Sequence, residues 1–555
     1  MVEVFGKNIL EVLTTGMYLE DSTIFREYIQ NAADSIRKAV EDNLYSEDED
    51  PSIDIELFAD TRSIRISDNG YGVKKDDIKT RLLSIASSEK NEDEDMGYRG
   101  IGRLFGLAHC AKLIFKTSYP GENIETIMEW DAETMRIVLD DRNNKITPEK
   151  LLDSIITYYE KPASPNSHYF IVEMEGITSG HSDLLDQEKV RKYVAETAPI
   201  KFAAPFHHRT KIEKYAKEHS FHIPCYKVTL EGKELSKNYS LTLYENNSSA
   251  CQEYDKIRDI AFKEFKASDG ETLAWIWYGI SAFEKMIPAA NHMRGIRLRR
   301  HNIEVGDEKT LAKFFKEARG NYYFVGEVHL VHKDLRPNNR RDYIRDVTKA
   351  GKGGQKTILV EFEERIRTFF ENELGPLYRT ANTYKNAIIS DIQLKQSEEE
   401  YQDKKTTGFI NDVEKKKLEK RIEDLKKKAE KGQKEIEKIQ KSAQSNKSIS
   451  QMVDAVTENV VAKEEKKKQD TQKKKPVPPK IVPQPPATTT RNVEDKGAPY
   501  SPDEKKAPLI TDQLTHLTEN ERRIVGVIYG VINEIVPEDS ALQLIQEIQD
   551  KLKNA

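Results

Sequence analysis

Apolar and polar positions follow several spacings along the chain, and each spacing predicts a different kind of element. In residues 24–36 an apolar residue recurs every four positions, which predicts one buried face of an α-helix. Residues 63–66 alternate strictly, as a short half-buried strand does. Between residues 215 and 350, strand-like runs such as CYKVTL, SLTLY and LAWIWYGI alternate with helical stretches, which indicates an α+β domain.

From Gln355 onward the pattern turns helical. A heptad-like seam flanked by dense Lys and Glu runs through this segment, with Gly432 at one core position. Such a seam packs either on a second chain or back on its own chain as an antiparallel hairpin, and both arrangements fit the spacing. The seam consists of Leu418, Ile422, Leu425, Ala429, Ile436, Ile439 and Ala443.

Periodicity is lost in residues 446–508 and returns near the C-terminus. The run KKKPVPPKIVPQPPATTT predicts a disordered, semi-extended linker. The capping box Thr518–Glu521 then begins a helix that Pro537 ends, and a second helix follows. Two helices of this size cannot bury their apolar stripes alone, so the pattern predicts that they pair with the same module of a second chain.

Composition and charge narrow the class of protein. A chain of 555 residues should hold several domains, and its net charge of −6 disfavours nucleic acid as the main partner. Three cysteines without metal-ligand spacing indicate a reducing compartment. The start MVEVFGKNIL does not resemble a signal peptide, and no apolar run is long enough to span a membrane. A cytoplasmic protein is expected, and the acidic run EDNLYSEDED (residues 41–50) is predicted to be a solvated loop.

The run FREYIQNAADSI carries the first candidate chemistry. Glu27, Asn31 and Asp34 stand at i, i+4 and i+7, so they share one face of the predicted helix. A carboxylate there can accept a proton from an attacking water, and an amide oxygen one turn later can ligate Mg²⁺. Without support from other motifs, an ordinary solvated helix face would explain the same spacing.

Two glycine-containing segments follow in order. Asp68 begins a D-N-G-x-G turn with Gly70 and Gly72, and a buried Asp beside such a turn can accept a hydrogen bond from an exocyclic amine. Farther on, the glycines of MGYRGIGRLFGLA precede a helical run, where backbone N–H groups can bind phosphate. No G-K-[ST] follows, so this is not a Walker loop.

The three motifs, in this order and spacing, resemble the GHKL superfamily and its Bergerat ATP-binding fold, with the ninety-kilodalton heat-shock chaperones as the most similar branch and MORC and MutL proteins more distant. The resemblance implies that Glu27 polarises the water, Asn31 binds Mg²⁺, Asp68 reads adenine, and the glycine segment closes as a lid. The implied nucleotide-binding set is Asn31, Asp34, Asp68, Gly70, Gly72, Ser88, Lys90, Gly97, Arg99, Gly100, Ile101 and Gly102.

One motif of that family is altered. The last strand of a Bergerat domain usually begins with Gly-Thr, whereas SHYFIVEMEGI has Ser167 and His168 at this place. The substitution changes the water network expected beside the adenine. We expect His168 to be a structural replacement rather than a catalytic group.

A second block resembles the middle domain of the same chaperones. MRGIRLRRHNIEVGD is similar to a strand of that domain, and the spacing D-L-x-x-N-x-x-R-D from Asp334 to Asp342 is similar to its catalytic loop. By resemblance, Arg341 reaches the γ-phosphate and Asn338 belongs to the catalytic set. Guanidinium suits this role because it is always charged and forks onto phosphate oxygens. The competing interpretation is a surface arginine in a basic loop.

These observations predict an α+β protein of five parts. They are a Bergerat-fold ATP-binding domain over residues 1–210, a transducer domain over 215–350, a helical, coiled-coil-like segment over 351–445, a disordered Pro/Lys-rich linker over 446–508, and a C-terminal helical dimerisation module over 509–555.

The resemblance implies a Mg²⁺-dependent ATP hydrolase. The leading hypothesis is a homodimer, held by the C-terminal helices and by ATP-dependent head contacts, that clamps or remodels protein clients. The alternatives are a nucleic-acid clamp like MORC or MutL proteins, which the acidic charge disfavours, and an ATP-sensing scaffold that recruits effector proteins. The resemblance also permits a role in bacterial phage defence.

Overall fold

The computed structural model describes residues 20–83, 102–141, 143–246, 252–338, 340–345, 357–408 and 410–473, together with Val525, Tyr529, Ile545 and Ile548. The chain falls into two compact units, divided between residues 475 and 476. The mixture of helices and sheets confirms the predicted α+β class.

An eight-stranded sheet covered by helices forms the first domain. Its strands are β1 (Ser52–Phe58), β2 (Ser63–Asp68), β3 (Lys112–Ser118), β4 (Ile124–Asp131), β5 (Ile156–Pro162), β6 (Tyr169–Glu175), β7 (Lys227–Leu230) and β8 (Lys233–Glu234). They lie in the order β5-β4-β3-β6-β2-β1-β7-β8. The helices are α1 (Thr23–Glu41), α2 (Ile78–Leu83), α3 (Ala132–Asp140), α4 (Pro148–Ile155) and α5 (Gln187–Thr197). The next helix, α6 (Arg209–Glu218), shares an apolar cluster with Trp275 and Trp277 of the second domain.

The membership of β7 in this sheet departs from the predicted domain boundary. The run CYKVTL was expected to belong to the second domain, but β7 pairs in parallel with β1, Ile53 lying opposite Val228. The first sheet therefore extends beyond residue 210. A parallel pairing joins segments far apart in the chain, so local alternation cannot assign the strand to a sheet.

A five-stranded sheet forms the core of the second domain. Its strands are β11 (Asp259–Lys266), β12 (Thr272–Ile280), β13 (Gly295–Arg300), β14 (Ile303–Val305) and β15 (Val325–Leu330), in the order β11-β12-β15-β13-β14. A separate pair consists of β9 (Thr242–Tyr244) and β10 (Glu253–Lys256). Both runs expected to be strands are confirmed: LAWIWYGI lies within β12, and SLTLY contains β9.

Long helices follow the second sheet. They are α7 (Ile358–Phe369), a π-helical turn (Phe370–Leu374), α8 (Gly375–Thr406), α9 (Asp412–Ala443) and α10 (Lys447–Lys473). Helix α9 folds back on α8, so the predicted seam packs within the chain as a hairpin. Gly432 fits this packing because a Cβ there would lie 3.1 Å from the Ala387 Cβ.

Helix α10 corrects the predicted start of the disordered linker. Residues 447–473 are helical, and Met452, Val456 and Val460 are buried in the core of the second domain. Their four-residue spacing is the helical signal, which the surrounding lysines and glutamates obscured. Residues 474–508 lie outside the described residues.

A buried carboxylate at the centre of β15 connects the two domains. Glu327 is fully buried, and its ion pairs with Arg299 and Lys237 outweigh the effect of burial and hold its pKa well below the usual value. Its partners come from β12, β13, β15 itself and the segment after β8. They are Lys237 Nζ at 2.9 Å, Tyr239 Oη at 3.0 Å, Trp277 Nε1 at 3.3 Å, His329 Nε2 at 3.1 Å, and Arg299 Nε.

The same cluster reaches into the first domain. Arg299 also donates to the backbone carbonyl of Glu196, in α5, at 2.9 Å. Lys237 donates to Asn302 Oδ1 at 2.6 Å, and Asn302 Nδ2 donates to the carbonyl of Pro224 at 2.9 Å. The Glu327 cluster, comprising Glu327 and these partners, therefore holds the edge of the second sheet against α5 and the segment before β7.

In the second unit, the described residues form a small apolar cluster. Val525 and Tyr529 are buried, and Ile545 and Ile548 pack against them. Part of the apolar surface of this unit is thus covered within one chain. Within the part of the chain that the structure describes, no helix is long and apolar enough to cross a membrane.

Replacing Glu327 by Gln should destabilise the protein strongly, because the buried charges of Arg299 and Lys237 would lose their partner. Removing one partner of a buried ion pair typically costs about 3–5 kcal/mol. Urea unfolding followed by tryptophan fluorescence measures the loss, since Trp277 lies in the cluster. The matched control is Glu253→Gln, which removes an exposed pair with Lys256 and should change little. An unchanged unfolding midpoint in Glu327→Gln would contradict the role of the cluster.

Candidate functional site

The apolar stripe of α1 fixes which of its side chains face the core. Tyr28 is buried, donates to the carbonyl of Arg103 at 3.0 Å and accepts from the Gly106 N–H at 3.1 Å. These bonds hold the 3₁₀ helix Gly102–Ala108 against α1. At its first residue, a Cβ on Gly102 would overlap Glu27 Oε2, so any side chain there would force the carboxylate to move.

Glu27 lies between two arginines. It is only 5% exposed, and its Oε1 lies 2.8 Å from Arg341 Nε, across the domain boundary. Arg26 Nε lies 3.8 Å from the same oxygen. The sequence motif predicted that Arg341 would approach the site, and the structure places it directly on Glu27. Arg26 was not among the predicted residues.

A hairpin-shaped loop carries Arg341 to this position. Pro337 and Ile344 form a β-bridge across its base, and the Asn338 N–H donates to the Tyr343 carbonyl at 2.8 Å. Arg341 itself has φ +54°, a left-handed conformation that is costly for a residue with a Cβ. Its carbonyl accepts from the Gly306 N–H at 2.7 Å, which fixes the backbone at the tip.

Asn338, the other predicted residue of this loop, lies at a different place in it. Its Nδ2 donates to Asp342 Oδ1 at 2.5 Å, and its carbonyl accepts from the Arg341 N–H at 3.1 Å. Both contacts are inside the loop. Asn338 therefore supports the conformation of Arg341, and its Oδ1 is buried without a hydrogen bond among the described residues.

Asn31 and Asp34 occupy different environments on α1. Asn31, one turn after Glu27, is half-buried. Asp34 is buried beside Tyr226, and its carboxylate adds to the effect of burial in raising the pKa of that tyrosine. Of the two, only Asn31 retains partial exposure on the Glu27 face.

Asp68, the last residue of β2, begins the glycine turn. It is buried, and its Oδ1 accepts from the Gly70 N–H at 2.9 Å. Gly70 packs directly on Ser35 of α1, and the Tyr71 N–H donates to Ser35 Oγ at 2.9 Å. Gly72 has φ +68° and lies against backbone of β3 and the start of β6, where a side chain would not fit. The turn is thus packed between α1 and the sheet.

The acidic run of residues 41–50 is not entirely solvated, which corrects the prediction for this segment. Glu49 lies 3.3 Å from His168 Nε2 and accepts from Asn69 Nδ2 at 3.3 Å. The other ring nitrogen of His168 lies 3.0 Å from the Asn69 carbonyl. His168 therefore supports the turn at the position where Thr was expected, in the structural role predicted for it.

Tyr45, in the same acidic run, is a residue that the motifs did not indicate. Its ring meets His168 edge-on at 5.7 Å. Burial and the charges of Asp68 and Glu49 raise the pKa of Tyr45. Its hydroxyl is buried and lacks a hydrogen-bond partner among the described residues. The sequence signal that could have indicated Tyr45 is that it is a single aromatic residue within an acidic run.

The remaining predicted residues cannot be placed. Residues 84–101 lie outside the described part of the chain. They include Ser88, Lys90, Gly97, Arg99, Gly100 and Ile101. Gly102, the last residue of the glycine segment, is described and contacts Glu27.

Comparisons with known proteins agree with this geometry. Residues 22–157 match the family described as histidine kinase-, DNA gyrase B- and HSP90-like ATPase. The chaperone protein HtpG of Idiomarina loihiensis is 38% identical over 87 residues, which are 15% of this chain and 14% of that protein. The HtpG proteins of Citrobacter koseri and Escherichia coli K12 are each 24% identical over 164 residues, 25% of this chain and 26% of theirs.

These matches span about a quarter or less of the length of the HtpG proteins. The residues of the family match, 22–157, hold α1 and the glycine turn, where Glu27 and Asp68 lie. Residues 22–157 therefore match the family of GHKL ATPases, and the chain is similar to HtpG chaperones over about a quarter of its length or less.

Proposed function

We propose that this protein is a Mg²⁺-dependent ATP hydrolase whose reaction is completed by a loop from the second domain. One observation carries the proposal: Arg341 Nε lies 2.8 Å from Glu27 Oε1. A proton acceptor from one domain and a permanent cation from the other thus meet at one place. That pairing suits a reaction in which water is deprotonated while negative charge grows on a phosphoryl group.

The residues around Glu27 fit a bound nucleotide. Asp68 offers a buried carboxylate for the exocyclic amine of adenine, next to a turn whose glycines allow close approach. Asn31 offers an amide oxygen, a hard ligand of the kind that Mg²⁺ prefers. Mg²⁺, when bound with ATP, would offset the charge of the phosphates.

Glu27 is paired in the described state, and this pairing has a consequence for catalysis. An arginine ion pair draws on the carboxylate lone pairs that would otherwise accept a proton from water. A terminal phosphate presents more negative charge to Arg341 than Glu27 does. We propose that ATP draws Arg341 away from Glu27, which releases the carboxylate to act as the base.

The wider role that we propose is that of an ATP-driven clamp on protein clients. The support is the similarity of the ATPase domain to proteins named as chaperones. Residues 509–555 would hold two copies together, so that ATP needs to supply only a weak contact between the ATPase domains. Light scattering of the chain without these residues tests the assembly: a truncated chain that stays dimeric without nucleotide would contradict it.

Asp68 and Glu27 should separate binding from chemistry. Asp68→Asn should abolish ATP binding, because the amide places a donor against the adenine amine. Glu27→Ala should bind ATP at least as tightly as the wild type and should lose hydrolysis, because a base acts only in the chemical step. Titration calorimetry and phosphate release measure the two properties. Turnover of Glu27→Ala at the wild-type rate would show that another group is the base.

Arg341→Ala should keep ATP affinity within a few-fold and slow hydrolysis by about two to three orders of magnitude, the usual loss for a contact to transition-state charge. Arg340→Ala is the matched control, because Arg340 is exposed in the same loop. Single-turnover phosphate release compares the two, with circular dichroism to check the fold. Equal hydrolysis rates for both variants would show that Arg341 is an ordinary cation of a basic loop, with no specific role in the reaction.

A further inference from the structure

Three side chains that are far apart in the sequence meet beside the start of α1. Asp21 lies two residues before the first residue of the helix, His109 follows the 3₁₀ helix Gly102–Ala108, and His181 lies in the 3₁₀ segment Ser179–Leu185, with non-helical φ and ψ. One donor atom from each residue lies within 4.8 Å of the other two. We call these residues the Asp21 triad.

The contacts inside the triad leave room for an ion. Asp21 Oδ2 lies 2.6 Å from His181 Nδ1, whereas Asp21 Oδ1 lies 3.8 Å from His109 Nδ1, too far for a hydrogen bond. The two rings meet edge-on, with centroids 4.5 Å apart. Donors around tetrahedral Zn²⁺ lie about 3.3 Å apart, given bonds of about 2.0–2.1 Å. Small side-chain movements would bring all three atoms to that spacing.

His109 supplies the independent observation. Only 5% of its side chain is exposed, and neither ring nitrogen has a hydrogen-bond partner among the described residues. An unpaired polar group at such depth is costly, so native structures normally provide a partner for it. The backbone on either side is fixed: the His109 N–H donates to the Gly106 carbonyl, and its own carbonyl accepts from Thr178.

The donor set selects the class of ligand. Two imidazoles and one carboxylate favour a divalent transition metal such as Zn²⁺ over Mg²⁺, which prefers oxygen ligands and water. The side chains of Asp21 and His181 are 41% and 29% exposed, so water can fill the remaining position. The Arg136 guanidinium, whose charge acts on His109, donates to the carbonyls of Leu107 and Cys110 and is thereby held.

We propose that Asp21, His109 and His181 bind a divalent transition-metal ion of the zinc class, which ties the start of α1 to the end of the 3₁₀ helix Gly102–Ala108. Glu27 lies on α1 and Gly102 lies on the 3₁₀ helix, which are two of the three segments that this ion would join. The ion would therefore stabilise the contact between them without taking part in the reaction. It is separate from the Mg²⁺ site proposed at Asn31.

Metal titration of the full chain tests the proposal. Protein stripped with a chelator would be titrated with Zn²⁺ against a chromophoric competitor, and with Co²⁺, whose visible absorption reports coordination by the protein. We expect one site per chain. His181→Ala and Asp21→Asn should each weaken it by at least about 100-fold, more than the loss of an outer-shell partner, and should remove the Co²⁺ bands. Zn²⁺ should also raise the thermal midpoint of the wild type and not of these variants.

A control variant and a check of folding are needed to interpret the titration. His219→Ala removes a histidine outside the triad and should leave the site intact, which controls for binding to surface histidines and cysteines. Both test residues are partly exposed, so circular dichroism can confirm that their variants fold. Equal affinity in the wild type, His181→Ala and Asp21→Asn would overturn the proposal. So would the absence of a stoichiometric site in the wild type, which would leave the triad as an Asp–His hydrogen-bonded pair beside an unpaired histidine.

Discussion

The need to compensate one buried carboxylate constrains the arrangement of the two domains. Glu327 is fully buried, and such a charge is tolerated only when it is paired and hydrogen-bonded. Its partners come from strands of the second domain and from the segment after β8, and two members of the cluster continue to carbonyls of the first domain. A second domain docked in another orientation would leave these charges without partners. The cluster therefore specifies the docking, even where it adds little net stability.

The position of Arg341 follows from that docking. Its loop continues directly from β15, and Arg300 holds the start of the loop by donating to the carbonyls of Leu330, Val331 and His332. At the tip, the left-handed backbone of Arg341 costs about 1–3 kcal/mol and persists because neighbouring contacts fix it. The rigid sheet, the fixed start of the loop and its fixed tip together place the Arg341 guanidinium beside Glu27.

Local features of the site could be predicted from the sequence. Helix α1 has a clear apolar period, and Asp68 begins a turn with a recognisable glycine spacing. Both elements could therefore be predicted from the sequence. The approach of Arg341 came from motif resemblance rather than from physical reasoning, since nothing in the sequence brings the loop to α1. The start of the linker was predicted wrongly, because dense charge concealed the apolar stripe of α10.

Features made by distant segments were beyond sequence reasoning. The parallel pairing of β7 with β1 joins strands that have β2 to β6 and several helices between them in the chain. The support of the turn by Glu49 and His168 requires an acidic loop to fold inward, against its average polarity. The Asp21 triad has no spacing signature, because its members belong to three separate elements. In each case the tertiary fold, rather than a local pattern, creates the interaction.

The competition between Glu27 and ATP for Arg341 is the central claim, and a double-mutant cycle on ATP affinity tests it most directly. Glu27→Gln keeps the shape of the side chain and removes its charge, so it should free Arg341 and tighten ATP binding several-fold. In an Arg341→Gln background the same substitution should tighten binding much less, because no pair remains to be broken. Calorimetry of the four proteins gives the coupling free energy. Equal tightening in both backgrounds would show that Glu27 only repels the phosphates, and it would contradict the account.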